Sequence, residues 1–163
     1  MIELEGVPQS CVGAPMPFVV SDEHKILLAY LVQEIPSDWD GASVRVVNQQ
    51  TPDEPLALVE FTRYSTFMFG APNDEAFSGH PLASHGLHPY GAFEVKNSSW
   101  VRQLERMNRV HYQHDPKRFD TLKHFVFAFH DSTFECAAEG FTVSEHRGSL
   151  ESLFPKMLRQ LAA

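Results

Sequence analysis

The chain has 163 residues, of which 43% are hydrophobic and 21% are charged, and its formal net charge is −8. This length is sufficient for one domain that buries its own core, so no second domain is needed. A strongly acidic chain binds phosphate backbones and anionic lipids poorly, which argues against nucleic acid as a partner. No run of about 18 apolar residues is present, so the sequence predicts no membrane-spanning helix.

The cysteines and the N-terminus indicate a cellular compartment. Only Cys11 and Cys136 occur, which is too few for a disulfide framework, and Cys136 lies in an apolar run typical of a buried, unreactive thiol. Glu3 and Glu5 stand where a secretory signal would be basic. We therefore expect a soluble protein of the reducing cytoplasm.

The first third of the chain predicts strands after an irregular start. Residues 1–22 contain three prolines and no hydrophobic period, so we expect an irregular N-terminal segment. Residues 25–34 are apolar nearly all round and suit a buried helix or a buried strand, and their short, strand-like neighbours favour the strand. Residues 44–48, VRVVN, predict another short strand, and the spacing indicates an antiparallel meander.

The middle of the chain predicts a long strand followed by a long loop. From Leu56 to Phe69, apolar residues recur at odd positions except at Arg63 and Ser65, so the strand is expected to bend or bulge in its middle. Residues 70–91 contain four glycines and three prolines, which leave no room for a longer regular element. Loops of this length inside a domain are often functional.

Two helices are predicted in the second half. After a short strand around residues 93–96, Asn97 or Ser98 can cap a helix with an apolar stripe. A stripe of six apolar residues between 150 and 161 predicts a C-terminal helix, in which Pro155 indicates a late start or a kink.

Residues 124–141 predict a β-hairpin that turns at Asp131-Ser132. In this register Phe129 lies opposite Phe134, and six side chains share one face: Phe125, Phe127, Phe129, Phe134, Cys136 and Ala138. On the other face His130 and Glu135 are diagonal neighbours, about 7–8 Å apart at the backbone. The whole pattern predicts a single α+β domain over residues 1–163, with a mainly antiparallel sheet of about five to seven strands, one central helix and one C-terminal helix.

Histidines and carboxylates concentrate in the 70–91 loop and the hairpin. Imidazole and carboxylate are usual ligands of zinc, iron and manganese, so His80, His130 and Glu135 are candidate ligands of a divalent metal. His80 and His130 are also candidate ligands of a haem. Further members of the metal hypothesis are Asp74, His85 and His88. The alternative is that His80 and His130 only orient the loop and the hairpin through hydrogen bonds.

A second pattern suggests hydrolysis. Asp74 followed by Glu94-Val95-Lys96 resembles the PD-(D/E)xK pattern of metal-dependent nucleases. The resemblance implies that Asp74 and Glu94 hold magnesium and that Lys96 assists the attacking water. The acidic chain counts against this hypothesis, and the alternative is that Glu94 and Lys96 are ordinary exposed residues of a strand.

Basic residues crowd between positions 102 and 123. They are Arg102, Arg106, Arg109, Lys117, Arg118 and Lys123, against three acidic residues in the same stretch. Such a patch on an acidic body can hold a phosphate or an acidic partner, or it can form a solvated helix face and a charged loop.

Three segments together resemble a family of small uncharacterised bacterial proteins. They are PNDEAFSGHPL with the Gly86-Leu87 that follows, EVKNSSW and FHDSTFEC, and the resemblance extends from Phe69 to Ala138. It implies a bacterial, soluble, single-domain protein and no particular reaction.

We expect a small binding or interaction domain whose pocket lies where the 70–91 loop meets the 124–141 hairpin. The candidate ligand-binding residues are Asp74, Glu94, Asn97 and His130. The expected partner is a small molecule, a metal ion or another protein. A metal-dependent hydrolase of the nuclease type, a haem or transition-metal binding protein and a structural subunit of an oligomer are the alternatives, so the sequence leaves open whether the protein is an enzyme.

Overall fold

In the computed structural model, which describes residues 1–35, 37, 39–43 and 45–163, nine strands form two antiparallel sheets. The strands are β1 (Ile2–Glu3), β2 (Phe18–Ser21), β3 (Ile26–Leu31), β4 (Glu54–Thr62), β5 (Thr66–Gly70), β6 (Ala92–Val95), β7 (Lys123–Ala128), β8 (Thr133–Ala138) and β9 (Gly140–Gly148). The helices are α1 (Ser99–Asn108), α2 (Lys117–Asp120) and α3 (Leu150–Ala162). The predicted α+β class with a central and a C-terminal helix is confirmed.

The two sheets pack face to face over an aromatic core. The first sheet has the order β1-β6-β7-β8-β5, and the second has the order β2-β3-β4-β9. Because side chains alternate along a strand, every second residue of β3, β4, β7 and β8 points between the sheets. The buried aromatic residues there are Tyr30, Phe61, Phe125, Phe127, Phe129 and Phe134. The sequence predicted a mainly antiparallel sheet of about five to seven strands, and the nine strands of the described structure divide into two packed antiparallel layers.

A continuous ribbon connects the two sheets. β4 pairs with β9 in the second sheet, and β5 pairs with β8 in the first. Thr62 lies opposite Gly140 and Thr66 opposite Ala137, so residues 63–65 face only residues 138–139. Three residues thus face two, and the extra residue forms a β-bulge in which Arg63 adopts a positive φ of 46°. The bend predicted in the middle of this strand is confirmed, and it carries the ribbon from one sheet to the other.

The C-terminal helix covers the outer face of the second sheet. Leu150, Leu153 and Met157 pack against Leu27 and Leu58 of that sheet. Ser149 caps the helix, because its Oγ accepts the Ser152 N–H at 3.1 Å. The helix begins at Leu150 and continues through Pro155, so the predicted late start at Pro155 was wrong.

The 70–91 segment covers the outer face of the first sheet. Its Phe77 and Leu87 are buried against Phe93 of β6 and Val126 of β7. After β5 ends at Gly70, two short 3₁₀ turns, Phe77–Gly79 and Ala83–His85, are its only regular elements in the described structure. The prediction of a long loop is therefore confirmed, and the loop is packed on the sheet rather than free in solvent.

Two expectations for the first third of the chain need correction. The N-terminal segment 1–22 is only partly irregular, because β1 pairs with β6 and β2 pairs with β3. The strand predicted at 44–48 is absent from residues 45–48, and Val44 lies outside the described residues. The strand predicted in residues 25–34 is confirmed as β3, which pairs directly with β4. None of the described helices is long and apolar enough to cross a membrane.

The β7–β8 hairpin has a different register from the predicted one. Ala128 lies opposite Thr133, and Phe127 opposite Phe134, so the loop has four residues instead of two. The Phe129 N–H donates to the Ser132 carbonyl at 2.9 Å and closes this loop. A shift of two residues preserves the alternation of faces, so the six side chains predicted to share a face all lie in the core between the sheets.

Candidate functional site

Asp74, Tyr90 and His130 form a polar group at the tip of the β7–β8 hairpin, which we call the open cluster. Asp74 Oδ2 lies 2.9 Å from His130 Nδ1, and the Tyr90 hydroxyl donates to the same carboxylate oxygen. The Tyr90 hydroxyl also lies 3.0 Å from His130 Nδ1. The His130 side chain is 39% exposed, so its ring is accessible from solvent.

The loop and the hairpin hold the open cluster together through their backbones. The Asp74 N–H donates to the His130 carbonyl at 2.8 Å, and Thr133 Oγ1 donates to the Pro72 carbonyl at 2.9 Å. Tyr90 has a φ of 64°, which is uncommon for a residue with a bulky side chain. Gln9 of the N-terminal segment donates to the Tyr90 carbonyl at 2.6 Å. Strained positions of this kind gather at functional sites, which supports a role for Tyr90.

The charges of the open cluster perturb one another. The hydrogen bond from Tyr90 and then that with His130 lower the pKa of Asp74. The hydrogen bond with Asp74 raises the pKa of His130, and the negative charges of Asp131 and Glu75 add to this effect. The same carboxylate raises the pKa of Tyr90 to about 12, so Tyr90 stays protonated at neutral pH. His130 thus lies in negatively charged surroundings.

His130 presents one ring nitrogen to solvent. Its Nδ1 lies against Asp74, whereas no residue in the described ranges hydrogen-bonds Nε2. The nearest carboxylate oxygen to Nε2 is Oδ1 of Asp131, at 3.9 Å, and the Asp131 side chain is 86% exposed. When the Nδ1–H group of a neutral His130 imidazole donates a hydrogen bond to Asp74, Nε2 carries a lone pair that can accept a hydrogen bond or a proton.

Ser98, His124, Glu135 and His80 form a second group, which we call the closed cluster. Glu135 Oε2 lies 2.6 Å from His124 Nε2, and Oε1 lies 3.2 Å from His80 Nε2. His124 Nδ1 lies 3.0 Å from Ser98 Oγ. Both imidazoles are only 5% exposed and Glu135 is 14% exposed, so solvent barely reaches this group.

Hydrogen bonding determines which ring nitrogens carry the protons in the closed cluster. The Leu82 N–H donates to His80 Nδ1 at 3.1 Å, so the ring proton of His80 lies on Nε2 and points to Glu135. Ser98 Oγ accepts the Val101 N–H as the cap of α1, which leaves its own proton for His124 Nδ1. Burial raises the pKa of Glu135, but the interactions with His124 and His80 outweigh burial and leave it lowered.

Aromatic rings enclose the closed cluster. The Phe77 ring stacks on His80 at 5.7 Å, and the Trp100 ring meets His124 edge-on at 5.0 Å. His80 belongs to the 70–91 loop, His124 to β7 and Ser98 to the start of α1. Glu135 therefore connects the loop to the outer face of the first sheet through His80, and His124 connects the start of α1 to the same face through Ser98.

The structure brings some of the predicted site residues together and separates others. Asp74 and His130 are in contact in the open cluster, and His80 and Glu135 in the closed one. Glu94 lies on β6, where it contacts Lys96 and lies 4.0 Å from Lys123 Nζ. Asn97 is exposed in the turn before α1, where its carbonyl accepts from Arg102.

The predicted metal ligands do not converge. Of the three, His80 and Glu135 are in contact, whereas His130 bonds to Asp74. Among the described residues, no group of three or more histidine, cysteine, aspartate or glutamate side chains is arranged to hold a metal ion. Both ring nitrogens of His80 already have hydrogen-bond partners, so no lone pair of His80 faces an open position.

Three residues of these clusters were not among the predicted ones: Tyr90, Ser98 and His124. His124 contacts Glu135 because the observed register pairs Val126 with Glu135 and His124 with Ala137, which makes His124 the diagonal neighbour. The predicted register gave that place to His130. Cys136 is fully buried in the core, and burial raises the pKa of its thiol, as expected for an unreactive cysteine.

Comparison with known proteins adds no name to these clusters. No family model, curated protein or solved structure matches the chain. The resemblance of the three segments to a bacterial family therefore stays a prediction.

Proposed function

We propose that the protein is a small binding domain that takes a cationic ligand, one able to donate hydrogen bonds, at the open cluster. The observation that carries this proposal is the orientation of His130, whose Nδ1 is held by Asp74 while Nε2 is accessible beside Asp131. A neutral imidazole nitrogen accepts a hydrogen bond from an ammonium or hydroxyl group, and the carboxylate of Asp131 supplies the opposite charge.

The charge around His130 favours a cation over an anion. Asp74, Glu75 and Asp131 surround a single imidazole, and all three raise the pKa of His130 through their negative charge. The chain as a whole has a net charge of −8, which attracts cations over longer distances. Ligand binding at Nε2 competes with a proton, so binding is expected to weaken as the pH falls.

An amine and a divalent metal ion share this chemistry, and the experiment has to separate them. The test is a titration of the protein with ethanolamine, with Mg²⁺ and with Zn²⁺, followed through the imidazole signals of His130 by NMR. We expect saturable shifts of His130 and Tyr90 with one of these probes. His130→Gln should abolish the shifts, and Asp131→Asn should weaken binding by about tenfold, the value of one charge-assisted hydrogen bond.

The chain offers a matched control for this titration. His111 is exposed in the turn after α1 and does not contact the open cluster, so His111→Gln should leave binding unchanged. Binding that persists in His130→Gln, or the absence of any saturable shift with all three probes, would contradict the proposal. Saturation with ethanolamine identifies an amine site, whereas saturation with Mg²⁺ or Zn²⁺ alone identifies a metal-ion site.

The other functions suggested by the sequence receive less support from the contacts. A nuclease-type hydrolase needs Asp74 and Glu94 on one metal, but Asp74 bonds to His130 and Tyr90, and Glu94 contacts Lys96. A haem or transition metal held by His80 and His130 needs two residues that lie in different clusters.

We propose in addition that the protein works in the reducing cytoplasm of a bacterium, in keeping with two free cysteines.

A further inference from the structure

A cleft of about 630 Å³ lies between the bulge of the ribbon and the segment after α1. Its volume is within the range of roughly 300–1,000 Å³ that is typical of small-molecule sites. Residues on its walls include Arg63, Tyr64, Asp115, Lys117, Arg118 and Phe119. None of these residues belongs to the open or the closed cluster.

The bulge gives the cleft a fixed wall. The Ser65 N–H donates to the Ala137 carbonyl at 2.7 Å, and the Glu139 N–H donates to the Thr62 carbonyl at 3.0 Å. These bonds on either side of the bulge hold Arg63 and Tyr64 at the bend of the ribbon. The wall is therefore built from the same paired strands that form the core, which makes it a preformed surface.

The cations of the cleft are unequally neutralised. Arg63 pairs with Glu139 at 3.1 Å, and Glu139 also accepts from Thr121 at 3.1 Å. Asp115 accepts the backbone N–H of Lys117 at 3.0 Å. In the part of the chain that the structure describes, no carboxylate oxygen lies within 4.0 Å of the side-chain nitrogens of Lys117 or Arg118. These two side chains are the cations left for a ligand.

Aromatic rings lie beside these cations. Phe119 packs near His114, with ring centroids 6.0 Å apart, and Tyr64 packs near Phe67 at 6.3 Å. Both rings are partly exposed and line the cleft. An aromatic wall beside free cations suits a ligand with a planar ring and an anionic group, because stacking and charge-assisted hydrogen bonds then act together.

We propose that this cleft binds a small molecule that carries an aromatic ring and an anionic group, with the ring against Phe119 and Tyr64 and the anion on Lys117 and Arg118. The cleft is then a second site, opposite in charge preference to the open cluster. Because the chain as a whole is acidic, we expect such an anion to be drawn to a local positive surface such as this one.

The test uses phenyl phosphate as the probe, with inorganic phosphate and phenol as probes of each half. We expect phenyl phosphate to shift the amide signals of residues 63–65 and 115–122 in a saturable way, inorganic phosphate to bind more weakly and phenol not to bind measurably. In the double variant Lys117→Gln with Arg118→Gln, the dissociation constant should rise by about tenfold or more for each lost charge-assisted hydrogen bond.

Arg159 provides the matched control, because it is an exposed arginine on α3, away from the cleft. Arg159→Gln should bind phenyl phosphate like the unmodified protein. A double variant that is folded by its amide spectrum and binds as before would overturn the proposal, as would the absence of saturable shifts in the millimolar range. Failure at this cleft leaves the proposal for the open cluster intact, since the two sites report through different residues.

Discussion

The two histidine–carboxylate clusters are made of the same residue types and differ in what the chain does with them. In the closed cluster, each carboxylate oxygen of Glu135 hydrogen-bonds to one buried imidazole. In the open cluster, Asp74 holds one nitrogen of His130 and leaves the other accessible. A buried carboxylate that bonds to every neighbouring N–H group stabilises the fold. A carboxylate that bonds to only one ring nitrogen of an imidazole orients the ring and leaves its other nitrogen available to a ligand.

Burial separates the two clusters as clearly as the hydrogen bonds do. His80 and His124 are 5% exposed, compared with 39% for His130. Breaking a polar contact in a buried place leaves an unsatisfied group, while the same change at an exposed place lets water substitute. Mutations in the closed cluster should therefore reduce stability, and mutations in the open cluster should change titration and binding.

The largest effect is expected from Glu135→Ala. Removing this carboxylate leaves the N–H groups of His80 and His124 without an acceptor in a buried site, at a cost of about 2–4 kcal/mol in the free energy of unfolding. Urea unfolding of the two proteins measures the difference. The control is Glu75→Ala, an exposed glutamate of the same loop, which should leave stability nearly unchanged. Equal losses in the two variants would show that the closed cluster is not a stabilising one.

Ser98→Ala should have the next largest effect. Ser98 caps α1 through Val101 and donates to His124, so its loss should cost about 1–2 kcal/mol. Ser99→Ala, at the next position and exposed, is the control and should not destabilise the protein. The comparison of the two midpoints in urea decides the role of Ser98. A loss in Ser99→Ala as large as that in Ser98→Ala would mean that the cap contributes nothing.

The pH dependence of stability should separate Glu135 from the surface carboxylates. Its pKa is lower in the folded protein than the ordinary value of 4.5, so its stabilising contribution is present above pH 4.5 and is lost as the pH falls through the folded pKa. The difference in unfolding free energy between the unmodified protein and Glu135→Gln should therefore shrink as the pH falls below 4.5. A difference that stays constant across this range would contradict the lowered pKa.

The sequence predicts faces better than it predicts partners. The alternation in residues 124–138 depends only on strand geometry, and it correctly assigned six side chains to one buried face. The pairing across the hairpin depends on the loop, and a loop of four residues instead of two shifted every partner by two positions. His124 thus became the neighbour of Glu135, and His130 became free to meet Asp74.

The division into two sheets was out of reach of local patterns for a similar reason. The interruption at Arg63 and Ser65 correctly indicated a bend, but a bend alone does not tell whether the strand stays in its sheet. That outcome depends on the matching bend after Ala138, far away in the sequence. Tyr90 was missed because a tyrosine among glycines and prolines gives no periodic signal, and only the docked loop places it beside Asp74.

The smallest change in stability and the clearest change in titration are expected from Asp74→Asn. The raised pKa of His130 means that its stabilising contribution is present below pH 6.5 and is lost as the pH rises through the folded pKa. Because the hydrogen bond with Asp74 is the main cause, Asp74→Asn should move the midpoint of His130 downward, as measured from its imidazole signals by NMR. The same variant should lose less stability than Ser98→Ala, since water reaches the exposed ring. Asp131→Asn removes a more distant charge and should shift the midpoint less. An unchanged midpoint in Asp74→Asn would mean that Asp74 does not prepare His130, and the distinction between the two clusters would then rest on burial alone.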